Sequence, residues 1–383
     1  PGTQKNRPSV SKNRPSVSSV SSVSSPLCSA HHQRFEQLLL GRHYSELPFL
    51  ASRVSGSDSL PHTLAALQAI EQAFSLPVTI RTEALRELML QASYLQSHAS
   101  HLYFQIVASA LGSNDSVGVA NFLTLAQSHP DAFANAVTLR QLGSELLRVV
   151  GGRAIHPITA TIAGFSREPR PAELLATAER LDAALDAALA TTELIHSLVP
   201  ATASRSTVDE DAAPTAVFAA AAASAAVPAS FTPTALEATS APATAEPGAA
   251  PVPAALDRVN SSWDRLSQHS KLAAAKIGLR PVEHNHHRNP EAEAVELVEA
   301  VVRCAALCRE LAAEPPAPVA AAPVASPNQP APPSSTPLPS IPARATEGIG
   351  IVAAAKGTLS HHYRFDAQGF VTSAKIDDTP RSR

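Results

Sequence analysis

The stretch RVSGSDSLPH has a residue pattern typical of a metal-binding turn: it begins at Arg53, and its fourth and tenth residues are Gly56 and His62. The two positions at which cysteine ligands would be expected hold Ser55 and Asp58. A serine hydroxyl is a poor ligand for a soft metal at neutral pH, whereas an aspartate and a histidine can hold a hard ion weakly. The stretch is therefore either a metal site that has lost its ligands or a loop that never held a metal.

Two further groups of residues could bind a metal ion. Cys304 and Cys308 are spaced i, i+4 in a predicted helix, so they share one face of it. Cysteines in such a place are more often buried small apolar residues. His284, His286 and His287 lie together in EHNHHR and could bind zinc, although a polar surface turn is the more frequent role of such a segment. We expect buried thiols in the first group and a surface turn in the second.

Other histidines offer proton-transfer chemistry. His98 and His101 lie on a long predicted helix, where they could tune or shuttle protons or could be hydrogen-bonded core residues. Arg153 and His156 in GGRAIHP could lie at a metal cavity, or the glycines could only permit a helix-ending turn. The segment SHHYR, residues 360–364, is predicted to be a strand edge with exposed histidines. The sequence contains no phosphate loop, dinucleotide fingerprint or evident Ser-His-Asp arrangement.

The composition limits how much of the chain can fold. Of 383 residues 33 are proline and 4% are aromatic, and much of the 44% apolar fraction is alanine, which buries little area. The formal net charge of −3 gives no electrostatic reason to expect nucleic acid or an anionic membrane as a partner. Three cysteines make a disulfide framework unfavoured and a reducing compartment the default. Outside alanine-rich sequence, no run is long and apolar enough for a transmembrane helix.

Helical periodicity predicts most of the elements that would position these residues. The longest predicted helix covers 81–111, with Thr82 as its N-cap and a buried apolar stripe. The stripe consists of Leu85, Leu88, Leu95, Leu102 and Ile106. Further helices are predicted at 33–42 (ending near Gly41), 62–74, 131–152, 171–199 (with Pro171 in its first turn) and 291–314, with folded sequence also at 256–279. Period-2 runs around DAQG predict a β-hairpin at 357–376.

Changes in composition divide the chain into folded and disordered parts. The serine-rich tail repeats KNRPSVS and buries too little apolar surface to offset its ordering entropy. The expected parts are a disordered tail at 1–32, helical regions at 33–200 and 253–314, an Ala/Pro-rich disordered insertion at 201–252, a Pro-rich linker at 315–343 and an incomplete C-terminal hairpin region at 344–383. The expected fold is mainly α (α+β): a helix bundle with short peripheral strands and long disordered linkers.

Several ordered motifs together resemble the large (catalytic) subunit of [NiFe]-hydrogenases, with the closest likeness to the cytosolic, bidirectional, NAD(P)-linked branch. In chain order they are FEQLLLGRHYSELPFLASRVSGSDSLPHTLAAL, QSHASHLYF, GGRAIHPITATIAGF, RVNSSWDRLS, GLRPVEHNHHRNPEAEAVELVEA and EGIGIVAAAKGTLSHHYRFDAQGFV. The resemblance covers roughly residues 33–376 apart from the two linkers. It rests on the order of the motifs, since none of them alone is specific.

The resemblance implies which residues belong to the site. In that family two C-x-x-C pairs hold a nickel and an iron, which soft thiolates suit. The first pair lies in R-x-C-G-x-C-x-x-x-H, so Arg53 and His62 match while Ser55 and Asp58 stand at the cysteine positions. Lys356 in AAKG stands where the family has an arginine over the metals, and lysine keeps the charge but not the planar fork. The second pair, in D-P-C-x-x-C-x-x-H, has no match in this sequence.

The resemblance also implies a function, which is the reversible oxidation of H2 to protons and electrons at a nickel–iron centre. The implied partner is an iron–sulfur small subunit, which a diaphorase module joins in the NAD(P)-linked branch. Because the cysteine ligands are absent, we expect this degenerate chain not to bind the centre and to be inactive. The alternatives are a truncated piece of an active subunit, a non-catalytic assembly scaffold or interaction subunit, and a decayed product without a stable fold.

The expected location is the cytoplasm. An organelle is the alternative, because residues 1–35 are rich in serine, contain lysine and arginine, and lack acidic residues up to Arg34.

Overall fold

A computed structural model describes the protein over residues 26–110, 119–198, 254–314 and 344–378. These ranges are mainly helical with short strands, which confirms the expected fold class. The predicted insertion at 201–252, the linker at 315–343 and most of the serine-rich tail lie outside the described residues. None of the helices in the described ranges has the length and apolar character that crossing a membrane requires.

The first half of the fold contains these elements: α1 (Pro26–Leu39), α2 (Leu47–Ala51), α3 (Ser59–Phe74), α4 (Ile80–His101), a π-helical segment (Leu102–Val107), α5 (Ala108–Ala110), α6 (Val119–Ser128), α7 (Pro130–Gly151) and the two-residue strands β1 (Ala160–Thr161) and β2 (Gly164–Phe165). The second half contains α8 (Pro171–Ala183), α9 (Leu185–Leu198), α10 (Ala254–Ser262), α11 (Gln268–Lys276), α12 (Asn289–Ala313), β3 (Thr346–Ala354), β4 (Gly357–Phe365) and β5 (Val371–Asp378).

Several predicted boundaries are wrong. Helix α1 begins at Pro26, inside the segment expected to be a disordered tail. The N-cap of α4 is Thr79, whose hydroxyl accepts a hydrogen bond from the backbone N–H of Thr82, so Thr82 is the third helical residue. The single helix predicted at 171–199 is interrupted at Ala184, although no glycine or proline lies there. Both pieces pack against α12, which indicates that tertiary packing decides this break.

The core forms where α12 packs against α4, α8 and α9. The predicted stripe on α4 is confirmed at Leu85, Leu88 and Leu95, which are fully buried, as is Leu102 in the π-helical segment, whereas Ile106 is only partly buried. A smaller apolar cluster joins α10 and α11 to the first turns of α12, with Trp263 at its margin. Helix α12 therefore connects both clusters, as a buried central helix must.

The C-terminal sheet has the order β3-β4-β5, and both of its strand pairs are antiparallel. The predicted hairpin is confirmed as β4 and β5, and β3 adds a strand that the sequence pattern did not reveal. Strand β3 lies directly on α3, because Gly348 and Gly350 have no side chains there. A Cβ atom on Gly350 would lie 1.9 Å from the carbonyl oxygen of Ala65, and one on Gly348 would lie 2.0 Å from that of Ala69. Glycine at both positions is thus a packing requirement.

Side chains cover both edges of this sheet. On β3 the backbone N–H groups of Ile349 and Ile351 donate to the amide oxygens of Gln72 and Gln68, over 2.5 and 3.1 Å. On β5 the N–H of Ile376 donates to Glu36 over 2.8 Å. Covered edges do not offer unpaired backbone groups to another chain. The sheet therefore acts as a fixed support for the turn between β3 and β4.

Candidate functional site

The candidate site starts at the turn that precedes α3. The hydroxyl of Ser55 accepts a hydrogen bond from the backbone N–H of Asp58 over 3.2 Å and lies 3.3 Å from the Asp58 carboxylate. The hydroxyl of Ser57 donates to the same carboxylate oxygen over 2.7 Å. Asp58 occupies the N-cap position of α3. The two positions identified as degenerate ligand positions, Ser55 and Asp58, are therefore in contact with each other.

Lys356 reaches this turn from the other end of the chain. It lies in the two-residue loop between β3 and β4, where Ala354 pairs with Gly357. Its ammonium donates to Asp58 Oδ2 over 2.8 Å and also to the hydroxyl of Ser57. The structure thus brings together Ser55, Asp58 and Lys356, as the resemblance implied.

The ion pair determines the charge of the turn. Burial alone would raise the pKa of Asp58, but the charge and hydrogen bond of Lys356, together with the hydrogen bond from Ser57, lower it below its ordinary value. Contact between a serine hydroxyl and a lysine amine can activate a nucleophile when the amine is neutral. Here the same nitrogen donates to Asp58 Oδ2 as well as to Ser57, so Lys356 is the hydrogen-bond donor in both contacts. The arrangement is an ion pair rather than a nucleophile and its base.

His156 borders the same turn. Its backbone N–H donates to the hydroxyl of Ser59 over 3.0 Å, and its Nδ1 donates to the carbonyl oxygen of Ser52 over 2.8 Å. Its φ is +55°, an uncommon value for a residue with a side chain, and the two hydrogen bonds hold it there. The preceding Gly152, with φ +76°, ends α7. The helix-ending turn predicted for GGRAIHP is confirmed, because Gly152 ends α7. The placement of Arg153 and His156 at a metal cavity stays a prediction.

His62 lies one helical turn beyond Asp58 and faces the interior. Its Nδ1 is 2.9 Å from Nε2 of His361, whose Nδ1 is 2.5 Å from the hydroxyl of Tyr363. Burial lowers the pKa of His62 to about 4, with further lowering by His32, His31 and Lys356 and a partial offset by Asp58. Burial likewise lowers the pKa of His361 well below its ordinary value. Both rings are therefore neutral at physiological pH.

The prediction that SHHYR is a strand edge with exposed histidines is wrong for His361. Strand β4 is the central strand of its sheet, and His361 is fully buried while His362 is only partly so. Residues 359, 361, 363 and 365 face inward in strict alternation. The period-2 pattern Leu-His-Tyr-Phe was the signal that could have identified His361 from the sequence.

A buried network of charges supports the loop that carries Lys356. The guanidinium of Arg258 on α10 binds both carboxylate oxygens of Glu296 on α12, over 2.7 and 2.8 Å. It also donates to the carbonyl oxygens of Ala354 and Ala355, over 2.8 and 3.2 Å. Because Ala355 precedes Lys356, this contact fixes the backbone from which the lysine extends.

The same network includes the two histidines of α4. His98 is fully buried, with Nε2 3.0 Å from Glu296 Oε2 and Nδ1 3.8 Å from Glu293 Oε2. His101 donates through Nδ1 to Glu293 over 2.5 Å. Burial alone would lower the pKa of His98, but the two carboxylates outweigh it and raise the pKa. His98 is thus a core residue within a charged network.

The remaining candidates lie away from the ion pair. Arg53 is exposed, and its guanidinium carbon lies 4.8 Å above the ring centre of Phe49. Arg153 is exposed as well. Cys304 and Cys308 are free, fully buried thiols on α12, as expected, and burial raises the pKa of Cys308 to about 12.

The segment EHNHHR forms the loop and a short 3-10 turn before α12, also as expected. Within the described ranges, no group of three or more histidine, cysteine, aspartate or glutamate side chains is arranged to hold a metal ion.

Comparisons with known proteins show a similarity to nickel-dependent hydrogenases over part of the chain. Residues 33–162 match the model of the nickel-dependent hydrogenases. The vhu F420-non-reducing hydrogenase of Methanocaldococcus jannaschii has a subunit that is 32% identical over 151 residues, which are 38% of this chain and 36% of that protein. The alpha subunit of sulfhydrogenase 2 from Pyrococcus furiosus is 33% identical over 145 residues, 38% of this chain and 34% of that protein.

The fold agrees with this likeness. The structure of an NAD+-reducing [NiFe]-hydrogenase in the H2-reduced state superimposes with a TM-score of 0.63 and 20% identity, covering 89% of this chain and 79% of that one. The chain is a homologue of nickel-dependent hydrogenase large subunits. Its sequence alignments with the curated relatives named above span about a third of their length.

The residues of this hydrogenase homologue do not fit a nickel–iron centre at the turn before α3. The side chains that meet there supply two serine hydroxyls, one carboxylate and one ammonium, so the donors are hard oxygens and a cation already lies beside them. Nickel and low-spin iron require soft, electron-rich sulfur ligands. The thiols in the described ranges whose side chains can be placed are those of Cys304 and Cys308, both enclosed in α12 packing. This turn therefore does not offer the ligands that a nickel–iron centre requires.

The sequence did not reveal several residues of the candidate site. Ser57 and Ser59 lie beside the cysteine-matching position Asp58, and two isolated serines in a turn give no sequence signal of a site. Arg258 opens the motif RVNSSWDRLS, but nothing in its local pattern indicates that it binds Glu296. Lys356, His156 and Glu296, which contact Ser57, Ser59 and Arg258, lie 299, 97 and 38 positions away from them in the sequence, where periodicity carries no information.

Proposed function

We propose that this chain is a non-catalytic hydrogenase large-subunit homologue, which retains the subunit scaffold and does not bind the nickel–iron centre. The observation that supports this most is the Lys356–Asp58 ion pair, at the turn where the resemblance aligns a cysteine pair. Lys356 stands in place of the family arginine, and His62, which matches the family histidine, is neutral and hydrogen-bonded to His361. Arg53 extends over Phe49 toward solvent. No reaction step is assigned to these residues.

The proposed role is that of an assembly scaffold or interaction subunit in a hydrogenase-type complex. The extensive core and the sheet with covered edges support it, because a stable surface is what such a subunit must offer. The proposed partner is an iron–sulfur small subunit. A diaphorase module is proposed as a further partner because the structural neighbour named above is an NAD+-reducing enzyme.

The NAD(P)-linked branch and the cytoplasmic location remain predictions. The first rests on the order of the sequence motifs. The second rests on the cysteine content of the chain, which favours a reducing compartment.

Metal analysis of the purified full chain tests the lack of a centre. We expect nickel and iron at the background level of the buffer and no H2-dependent reduction of a viologen dye. The double variant Ser55→Cys with Asp58→Cys is the positive control, since it places two thiols at i, i+3 and should bind Ni2+ or Zn2+. Close to one nickel and one iron per parent chain, or reproducible H2 uptake, would overturn the proposal.

Affinity purification from the native source tests the scaffold role. We expect an iron–sulfur protein to be retained with the tagged chain in stoichiometric amount, with no nickel in the complex. Elution of the chain as a lone monomer at cellular concentration contradicts an interaction subunit.

A further inference from the structure

Asp58 needs a positive charge beside it. Its side chain is 21% exposed, so water screens it only partly, and a carboxylate in such a place is costly unless it is paired. Ser55 and Ser57 supply hydrogen bonds without charge, and His62 is neutral. Lys356 is the cation in contact with it.

The position of Lys356 is set by backbone contacts rather than by the ion pair alone. Arg258 holds the carbonyl oxygens of Ala354 and Ala355, and the hydroxyl of Tyr94 donates to that of Ala353. The lysine therefore extends from a loop whose backbone has contacts of its own besides the ion pair. Less side-chain and backbone freedom is lost when a preorganised group makes its contact.

The ion pair joins two parts of the chain that share no strand or helix. Asp58 ends the turn before α3, whereas Lys356 belongs to the loop between β3 and β4, 298 residues later. The hydroxyl of Ser57 accepts a second hydrogen bond from the same ammonium.

We infer that the ammonium of Lys356 supplies the positive charge that this turn requires: it neutralises Asp58 and fastens the turn before α3 to the β3–β4 loop, so that this part of the fold closes without a metal. The inference rests on the proposed function, because both start from a turn that lacks thiols.

A double-mutant cycle in metal-free buffer tests this ion-pair lock. The variants are Asp58→Asn, Lys356→Met and the two combined, and the measured quantity is the thermal midpoint of the full chain. We expect each single variant to lower the midpoint by roughly 2–4 °C, which is the shift that about 1 kcal/mol produces in a domain of this size. The thermal midpoint of the combined variant should be no lower than that of the less stable single variant, because the second substitution removes a group that is already unpaired.

A matched surface pair provides the control. Lys276 and Glu193 form an ion pair in which both side chains are more than half exposed, so Lys276→Met should shift the midpoint by less than about 1 °C. EDTA and NiCl2 should leave the midpoint of the parent chain unchanged. Additive effects of the two substitutions, or effects no larger than that of Lys276→Met, overturn the lock.

The outcomes separate the lock from the proposed function. Additive single effects in a nickel-free parent overturn the lock and leave the non-catalytic assignment standing. Nickel in the parent overturns the non-catalytic assignment and, with it, the closure without a metal, whatever the cycle shows.

Discussion

His62 on α3 and His98 on α4 are almost completely buried, at 2% and 0% exposure, yet their surroundings shift their pKa values in opposite directions. His62 faces His361 and His32, and burial keeps it neutral. His98 lies between Glu293 and Glu296, and these carboxylates favour its charged form despite burial. Burial alone therefore does not decide the direction in which the pKa of a histidine shifts. The charge of the side chains that face the ring decides it.

The same difference explains how the two regions balance their carboxylates. On the α4–α12 side, Glu293 and Glu296 are compensated by His98, His101 and Arg258. On the α3 side, the histidines are neutral and the compensation of Asp58 falls to Lys356. A network with several buried partners should therefore be far more sensitive to substitution than a single pair that water reaches.

The largest effect is expected from Glu296→Ala. The substitution leaves Arg258 and His98 buried without their shared carboxylate, and breaking a buried pair in this way costs about 3–5 kcal/mol of unfolding free energy. Urea denaturation at neutral pH measures it. Glu193→Ala, which opens an exposed pair, is the control and should cost about 0–1 kcal/mol. Equal losses in the two variants would contradict the comparison.

The next largest effect is expected on acidification. The pKa of His62 is about 4 in the folded protein and about 6.5 in the unfolded chain, so the unfolded chain binds the proton more readily. The stability contributed by neutral His62 is fully present above pH 6.5 and is lost as the pH falls toward 4, by about 3 kcal/mol. His361 acts in the same direction. The unfolding free energy measured from pH 7 to pH 4.5 checks this.

The variant His62→Gln provides the control for that slope. It removes the titrating ring, so its unfolding free energy should change less steeply over the same pH range, even if its stability at pH 7 is lower. Equal slopes for the parent and His62→Gln would exclude His62 as a source of the acid sensitivity.

A smaller effect is expected on the alkaline side. The pKa of His98 is raised in the folded protein, so its contribution to stability is fully present below pH 6.5 and is lost as the pH rises through the folded value. Among the described residues, the pKa is raised for one histidine, His98, and lowered for four, which are His32, His62, His286 and His361. His98→Gln should flatten the alkaline limb of the profile and leave the acid limb in place. An alkaline limb that persists in His98→Gln would show that another group causes it.

The helical part of the fold could be predicted because its signals are local. The predicted stripe repeats at helical spacing, and it is fully buried at Leu85, Leu88 and Leu95 and only partly buried at Ile106. Pro171 begins α8 because its ring fixes φ at a helical value and the first turn of a helix does not need its missing N–H. Strand β3 escaped prediction because its inward positions include Gly348 and Gly350, so the apolar alternation that marks a strand is missing.

The sequence by itself determined the helices, the hairpin of β4 and β5, and the absence of thiols at positions 55 and 58. The tertiary structure alone decided that Lys356 neutralises Asp58, that His361 meets His62, and that Arg258 holds the β3–β4 loop. The physical reason is the range of the interactions. Helical and strand periodicities arise between residues two to four positions apart, whereas the first two of these contacts join groups almost 300 positions apart, and only packing brings them together.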